Sequence, residues 1–177
     1  MLEIRDATLD DSVELRELGV KTWITQYSHI VEIQSKGEIL KQDRSLKIFQ
    51  HHIENNPTIL CIDTDINKII GYMILTELDE KKAKLVEAWK NDKQLDQLYL
   101  LEEYQGQGIG KTLIEYAFNH PFFVEADSIY VGAGSRNIGA HEFYKKMGFI
   151  DTGIRKPFIE QGVQTGSQFL FKKEINK

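Results

Sequence analysis

Cys61 is the only cysteine in the 177-residue chain. Neither an internal disulfide nor a multi-cysteine metal site can form, and a reducing, cytoplasmic setting is expected. An excess of positive charge is also missing: 22 Lys and Arg stand against 27 Asp and Glu, a net charge of -5. No sequence-wide basic field exists to hold a polyanion, so nucleic acid is not an expected partner. No apolar run approaches the roughly 20 residues that span a bilayer. The chain starts Met1-Leu2-Glu3-Ile4-Arg5-Asp6, charged from its third residue, so neither secretion nor membrane insertion is expected. Repeats, linkers and low-complexity tracts are absent too. What remains is 41% hydrophobic, enough for one core, and residues 1–177 read as a single domain.

Alternation over Leu2 to Ala7, with Thr8 and Asp11 in capping spacing, predicts a strand and then a helix to about Tyr27. Ser35 and Glu38 in capping-box spacing, followed by Ile39, Leu46, Phe49 and Ile53, predict a second helix ending before Pro57. Thr58 to Ile62 and Ile69 to Thr76 read as a hairpin. From Glu77 to Lys93 the charge density around Lys81, Lys82 and Lys84 suggests a solvated excursion. Leu95 to Leu101 is a strand, and a helix with Ile109, Leu113 and Ala117 on one face follows, closed by Pro121. Ile129 to Ala133 is a strand. Asn137 opens a helix with Ala140, Phe143, Tyr144 and Met147 at helical spacing, and Gly148 stops it. Phe149 to Ile154 and Gln168 to Phe171 close the order β-α-α-β-β-β-α-β-α-β-β, an α/β chain with a mixed sheet.

The densest signal is Gln105-Gly106-Gln107-Gly108-Ile109-Gly110-Lys111 between a strand and a helix. Glycines let the backbone bend and approach an anion, while the first N–H groups of the helix point outward with a favourable dipole. A P-loop would need glycine where Gln105 stands, and a dinucleotide fingerprint would need it at Lys111. Both nucleotide patterns fail by one residue.

Gln105-x-x-Gly108-x-Gly110, together with Asn137 and Phe143-Tyr144 ahead of Gly148-Phe149, resembles the GCN5-related N-acetyltransferase superfamily. The resemblance covers about Leu95 to Phe149. It implies a GNAT fold in which the central parallel strands splay to admit pantetheine, and acetyl-CoA as co-substrate. The donor's pyrophosphate would lie on Gln105, Gly106, Gln107, Gly108, Ile109, Gly110 and Lys111, and its arm on Leu98, Tyr99 and Leu100. Asn137 would contact the arm or a neighbouring carbonyl, and Tyr144 would lie near the sulfur and protonate the leaving thiolate. Lys146 is equally placed for a CoA phosphate or for solvent.

Within that family, Asp96 matches a glutamate of the polyamine (spermidine/spermine-type) acetyltransferases. It is the candidate base, directly or through water, with a solvent-facing strand acid as the alternative. Trp23 and Tyr27, four residues apart, suit either an aromatic wall for a cationic amine or the core; His29 lies in the same acceptor region. The implied acceptor is a small-molecule primary amine, with a peptide or ribosomal-protein amino terminus or a non-catalytic acyl-CoA module as alternatives. A homodimer is common among relatives. His51, His52, His120 and His141 show no ligand spacing, so no metal is expected.

Overall fold

The computed structural model describes residues 1–27, 44–86, 91–160 and 163–175. The helix start expected at Ser35, Glu38 and Ile39, and the site residue His29, lie outside them. The strands are β1 (Leu2–Asp6), β2 (Thr58–Asp63), β3 (Lys68–Glu77), β4 (Lys93–Leu100), β5 (Ser128–Gly134), β6 (Ile150–Glu160) and β7 (Val163–Glu174). The helices are α1 (Ser12–Tyr27), α2 (Leu46–Asn55), α3 (Glu80–Val86), α4 (Ile109–Phe118), α5 (Pro121–Val124) and α6 (Ile138–Lys146). One mixed sheet runs β1-β2-β3-β4-β5-β7-β6.

The chain forms two compact units, Met1–Ile74 with Gln97–Ala117, and Leu75–Asp96 with Phe118–Lys177. In the first, β1 pairs antiparallel with β2, and β2 with β3. Ile59, Leu60, Ile70, Tyr72, Met73 and Ile74 are fully buried, the near-continuous apolar pattern of strands covered on both faces. Thr8 opens the turn into α1 by donating its backbone N–H to Asp11 Oδ2 at 2.7 Å. Ser45 caps α2, and Phe49 on that helix is 1% exposed. Phe49 meets the Tyr72 ring edge-on at 6.1 Å. A Cβ on Gly19 would lie 2.4 Å from Phe49, so only glycine lets α1 come this close.

In the second unit, β5 pairs antiparallel with β7 and β7 with β6. Parallel pairing of β4 with β5 runs from Lys93↔Ile129 to Leu95↔Val131 and ends there, although β4 continues to Leu100 and β5 to Gly134. A crossover of helices joins the two, as parallel neighbours require.

Two expectations are corrected. Residues 77–86, within the stretch from Glu77 to Lys93, are no plain solvated excursion, because α3 forms there and Lys82 is 8% exposed. The physical reason is a buried partner on β4, described below. Pro121 does not end α4, which stops at Phe118; it sits in the first turn of α5, where its missing N–H has no carbonyl to lose.

Candidate active site

The first unit carries the glycine turn. After β4 the chain passes through a short 3-10 segment, Glu102–Tyr104, closed by Tyr104 N–H to the Leu101 carbonyl at 3.0 Å and Gln105 N–H to that of Glu102 at 3.0 Å. Two side-chain amides brace it: Gln105 Nε2 donates to the Leu100 carbonyl at 3.0 Å and Gln107 Nε2 to that of Glu103 at 2.9 Å. Gly106 and Gly108 have φ of 74° and 85°, a region that costs an L-residue about 1–2 kcal/mol. A Cβ on either would meet nothing within 4 Å, so the backbone is bare on that side. The bond from Thr112 N–H to the Gly108 carbonyl, 3.1 Å, begins the α4 ladder. The N–H groups of Ile109, Gly110 and Lys111 therefore have no intrahelical carbonyl and suit an anion. Lys111 lies 3.7 Å from Glu115, both exposed.

On β4 of the same unit, Leu98, Tyr99 and Leu100 are partly exposed. Tyr99 does more than line the strand: its hydroxyl accepts from Arg44 Nη2 at 3.3 Å, and its ring stacks on Tyr72 with centroids 5.5 Å apart. Trp23 on α1 is 8% exposed, and the α1 backbone ends at Tyr27. Arg44 carried no motif in the sequence, yet it is a buried cation of this unit.

The second unit carries Asp96, Asn137 and Tyr144. Asp96 is exposed near the end of the paired part of β4. It accepts a hydrogen bond from Gln94 Nε2. Gln94, 3% exposed, in turn accepts from Lys82 Nζ at 2.9 Å through its Oε1. An ammonium only donates and a carboxylate only accepts, so the two neighbours fix which way the Gln94 amide faces. Asp79 closes the chain 3.4 Å from Lys82. Burial works to raise the Asp79 pKa, but the Lys82 backbone N–H and ammonium outweigh it and hold the carboxyl below its usual range.

Asn137 caps α6: its Oδ1 accepts from Ala140 N–H at 3.1 Å, and its own N–H reaches the Gly134 carbonyl at 2.9 Å. That use of Oδ1 leaves the Nδ2 hydrogens for another acceptor. Tyr144, 6% exposed, packs its ring against Phe143, Phe149 and Phe171 at 5.5, 5.7 and 6.1 Å. Lys146 is exposed at the end of α6.

His141 has no ligand spacing in the sequence. It is buried, its Nε2 lies 2.9 Å from the Gly134 carbonyl, and its ring stacks on Phe169 at 4.8 Å. A carbonyl accepts only, so Nε2 carries the proton in this bond. His141 thus ties α6 to the end of β5. Among the described residues no group of three His, Cys, Asp or Glu is placed to hold a metal.

A curated relative, the peptidyl-lysine N-acetyltransferase YjaB of Salmonella typhimurium, is 32% identical over 90 residues, 51% of this chain and 48% of that protein. The chain thus matches about half the length of that relative. The structure of PaiA N-acetyltransferase from Thermoplasma acidophilum in complex with coenzyme A is similar at a TM-score of 0.75, with 21% identity over 98% of this chain and 99% of that one. A GNAT family acetyltransferase from Elizabethkingia anophelis with acetyl-CoA bound has a TM-score of 0.60 and 20% identity over 98% and 97% of the two chains. These likenesses are likenesses of fold. The Acetyltransferase (GNAT) family model matches residues 20–149, more than half of the sequence, and the chain belongs to that family.

Proposed function

We propose that the chain transfers an acetyl group from acetyl-CoA to a primary amine of a small molecule, by direct attack within a ternary complex. The observation that carries this is the bare glycine turn: Gly106 and Gly108 at positive φ with open space before them, leading into an unsatisfied helix start. Bound acetyl-CoA would supply the thioester carbonyl that the amine attacks. The backbone from Gly106 to Lys111 would hold its pyrophosphate, with Gln105 keeping the turn in shape. Leu98 and Leu100 backbone groups and the free Nδ2 of Asn137 would hold the arm. Asp96, oriented by Gln94, would take the amine proton directly or through water, and Tyr144 would give a proton to the departing sulfur. The C–N bond forms, the C–S bond breaks, and one proton moves from nitrogen to the carboxylate while another reaches the thiolate.

A second reading, acetylation of a peptide lysine, is supported by the name of the Salmonella relative. The polyamine acceptor implied by the resemblance rests on Asp96, the glycine loop and the Phe143-Tyr144 helix, and the buried charge of Arg44 weighs against it. Free-thiol release from acetyl-CoA is to be measured against polyamines, amino acids, aminoglycosides and lysine-containing peptides. Acetyl-CoA binding without release for any amine would replace the enzyme with a non-catalytic acyl-CoA module.

A further inference from the structure

Arg44 is 8% exposed and finds no carboxylate among the described residues. A guanidinium has five N–H donors. Nη1 gives one to Tyr72 Oη at 3.2 Å and one to Gln97 Oε1 at 2.8 Å, and Nη2 gives one to Tyr99 Oη at 3.3 Å. The Tyr99 ring lies 5.3 Å from the guanidinium carbon. Nε is buried and has no partner. Two donors are left over, on Nε and Nη2.

Among the described residues this buried charge is held only by neutral oxygens and a ring face, a costly arrangement because none of them replaces its lost hydration with an opposite charge. The surrounding groups also leave donors rather than acceptors. Tyr72 Oη donates to Gln97 Oε1 at 2.9 Å, so that oxygen accepts twice and the Gln97 amide turns its Nε2 hydrogens the other way. The Tyr99 oxygen accepts from Arg44, which leaves its hydrogen to give. Arg44, Gln97 and Tyr99 together present a cationic cluster whose spare groups are N–H and O–H. Such a cluster fits an anion, and a planar guanidinium with Nε and Nη2 to spare fits a carboxylate in two-point contact. Gln97 directly follows Asp96 in β4.

We infer that Arg44, with Gln97 and Tyr99, binds a carboxylate of the acceptor, so that the amine acetylated by this chain is an amino acid or another amine bearing a carboxylate. The inference rests on the acetyl-transfer reading for its placement in catalysis, though the anion site itself stands on the geometry of the first unit. A polycation would meet the buried guanidinium and be repelled.

The test uses the full-length protein and pairs of acceptors that differ in one group: each of the common α-amino acids against its α-carboxamide. Thiol release gives kcat/KM, and calorimetric titration with the amino acids in the presence of CoA gives binding directly. The expected result is at least one amino acid preferred over its amide by 10-fold or more, with Arg44→Gln bringing that ratio to near one while activity on the amide survives. Arg44→Lys covers the case in which Arg44→Gln does not fold, and should retain part of the preference. Equal kcat/KM for every acid and amide pair in the native protein overturns the inference and leaves acetyl transfer intact. Amino-acid binding abolished by Arg44→Gln without thiol release from any amine supports the anion site and overturns the enzymatic reading. A fall of acid and amide rates together in both variants, with the ratio kept, assigns Arg44 to packing and also overturns the inference.

Discussion

Lys82 Nζ lies 2.9 Å from Gln94 Oε1, and the other end of the same amide donates to Asp96. A buried ammonium on α3 thereby dictates the orientation of the donor that faces the candidate base. Lys82 is a positioning residue in this arrangement, since it touches Asp96 only through Gln94. Lys82→Met should lower kcat about 10-fold, less than the ~10²-fold of a full 1 Å misplacement. KM for acetyl-CoA should not change. Stability should fall by about 1–3 kcal/mol, because the buried Gln94 Oε1 loses its donor and Asp79 its cation. Steady-state kinetics and thermal melts on the same variant check this, and an unaltered kcat would detach Lys82 from the chemistry.

Tyr144→Phe keeps the ring that packs on Phe143, Phe149 and Phe171 and removes only the hydroxyl. If that hydroxyl protonates the thiolate, turnover should fall by about 10²-fold or more, with acetyl-CoA affinity within about twofold. Single-turnover thiol release under conditions where chemistry limits the rate separates the two. Turnover equal to the native value would return Tyr144 to a packing role.

The glycine turn was legible because positive φ strongly favours glycine, and Gly106, Gly108 and Gly148 supply it where the helix boundaries need it. Asn137 was legible for a similar local reason: a cap speaks to the N–H three residues on. Both are short-range. The groups the sequence did not disclose depend on partners brought by the sheet. Lys82 read as one more solvated lysine until β4 set Gln94 against it. Arg44 meets Tyr72 on β3 and Gln97 and Tyr99 on β4, residues 28 to 55 positions away, and no spacing rule joins them. His141 shows no metal-ligand spacing in the sequence, and its partner is a backbone carbonyl that no side-chain pattern records.

Gly108 and Gly153 form a matched pair for testing the proposed pyrophosphate site. Both have positive φ, 85° and 79°, and at both an added Cβ would meet nothing within 4 Å. Alanine at either should cost about 1–2 kcal/mol of stability through the backbone alone. Only Gly108→Ala should also weaken acetyl-CoA binding, by 10-fold or more, because its methyl group would stand where a phosphate approaches the turn. Equal Kd values for the two variants in calorimetric titration would move the anion elsewhere.

Asp11 governs one part of the acid response. The Arg5 guanidinium, 2.8 Å away, together with Thr8, holds its carboxyl down to about 2 from the ordinary 3.8, against the opposing effect of burial. A lowered folded-state value means that the pair stabilises fully above about pH 4 and that this contribution fades as pH falls through about 2. Asp11→Asn should lower Tm at pH 7 by an amount equivalent to about 1 kcal/mol, from the lost pair and cap. Its melting temperature should then approach that of the native protein between pH 4 and 2. Parallel melting curves that stay equally far apart down to pH 2 would refute the assignment.

Cys61 decides between direct transfer and a route through an acetylated cysteine. It sits fully buried in β2, where burial above all, with Asp63 adding to it, pushes the thiol up to about 11. At neutral pH roughly one molecule in 10⁴ would carry the thiolate, the reactive form. Cys61 should therefore resist iodoacetamide in the folded protein and react once denatured. Cys61→Ala should keep kcat within about twofold, with a stability cost of about 1 kcal/mol from the lost sulfur. Initial-rate patterns with acetyl-CoA and the amine both varied should intersect, as a ternary complex requires. Parallel lines, or a burst of thiol release before the amine is added, would make the transfer covalent.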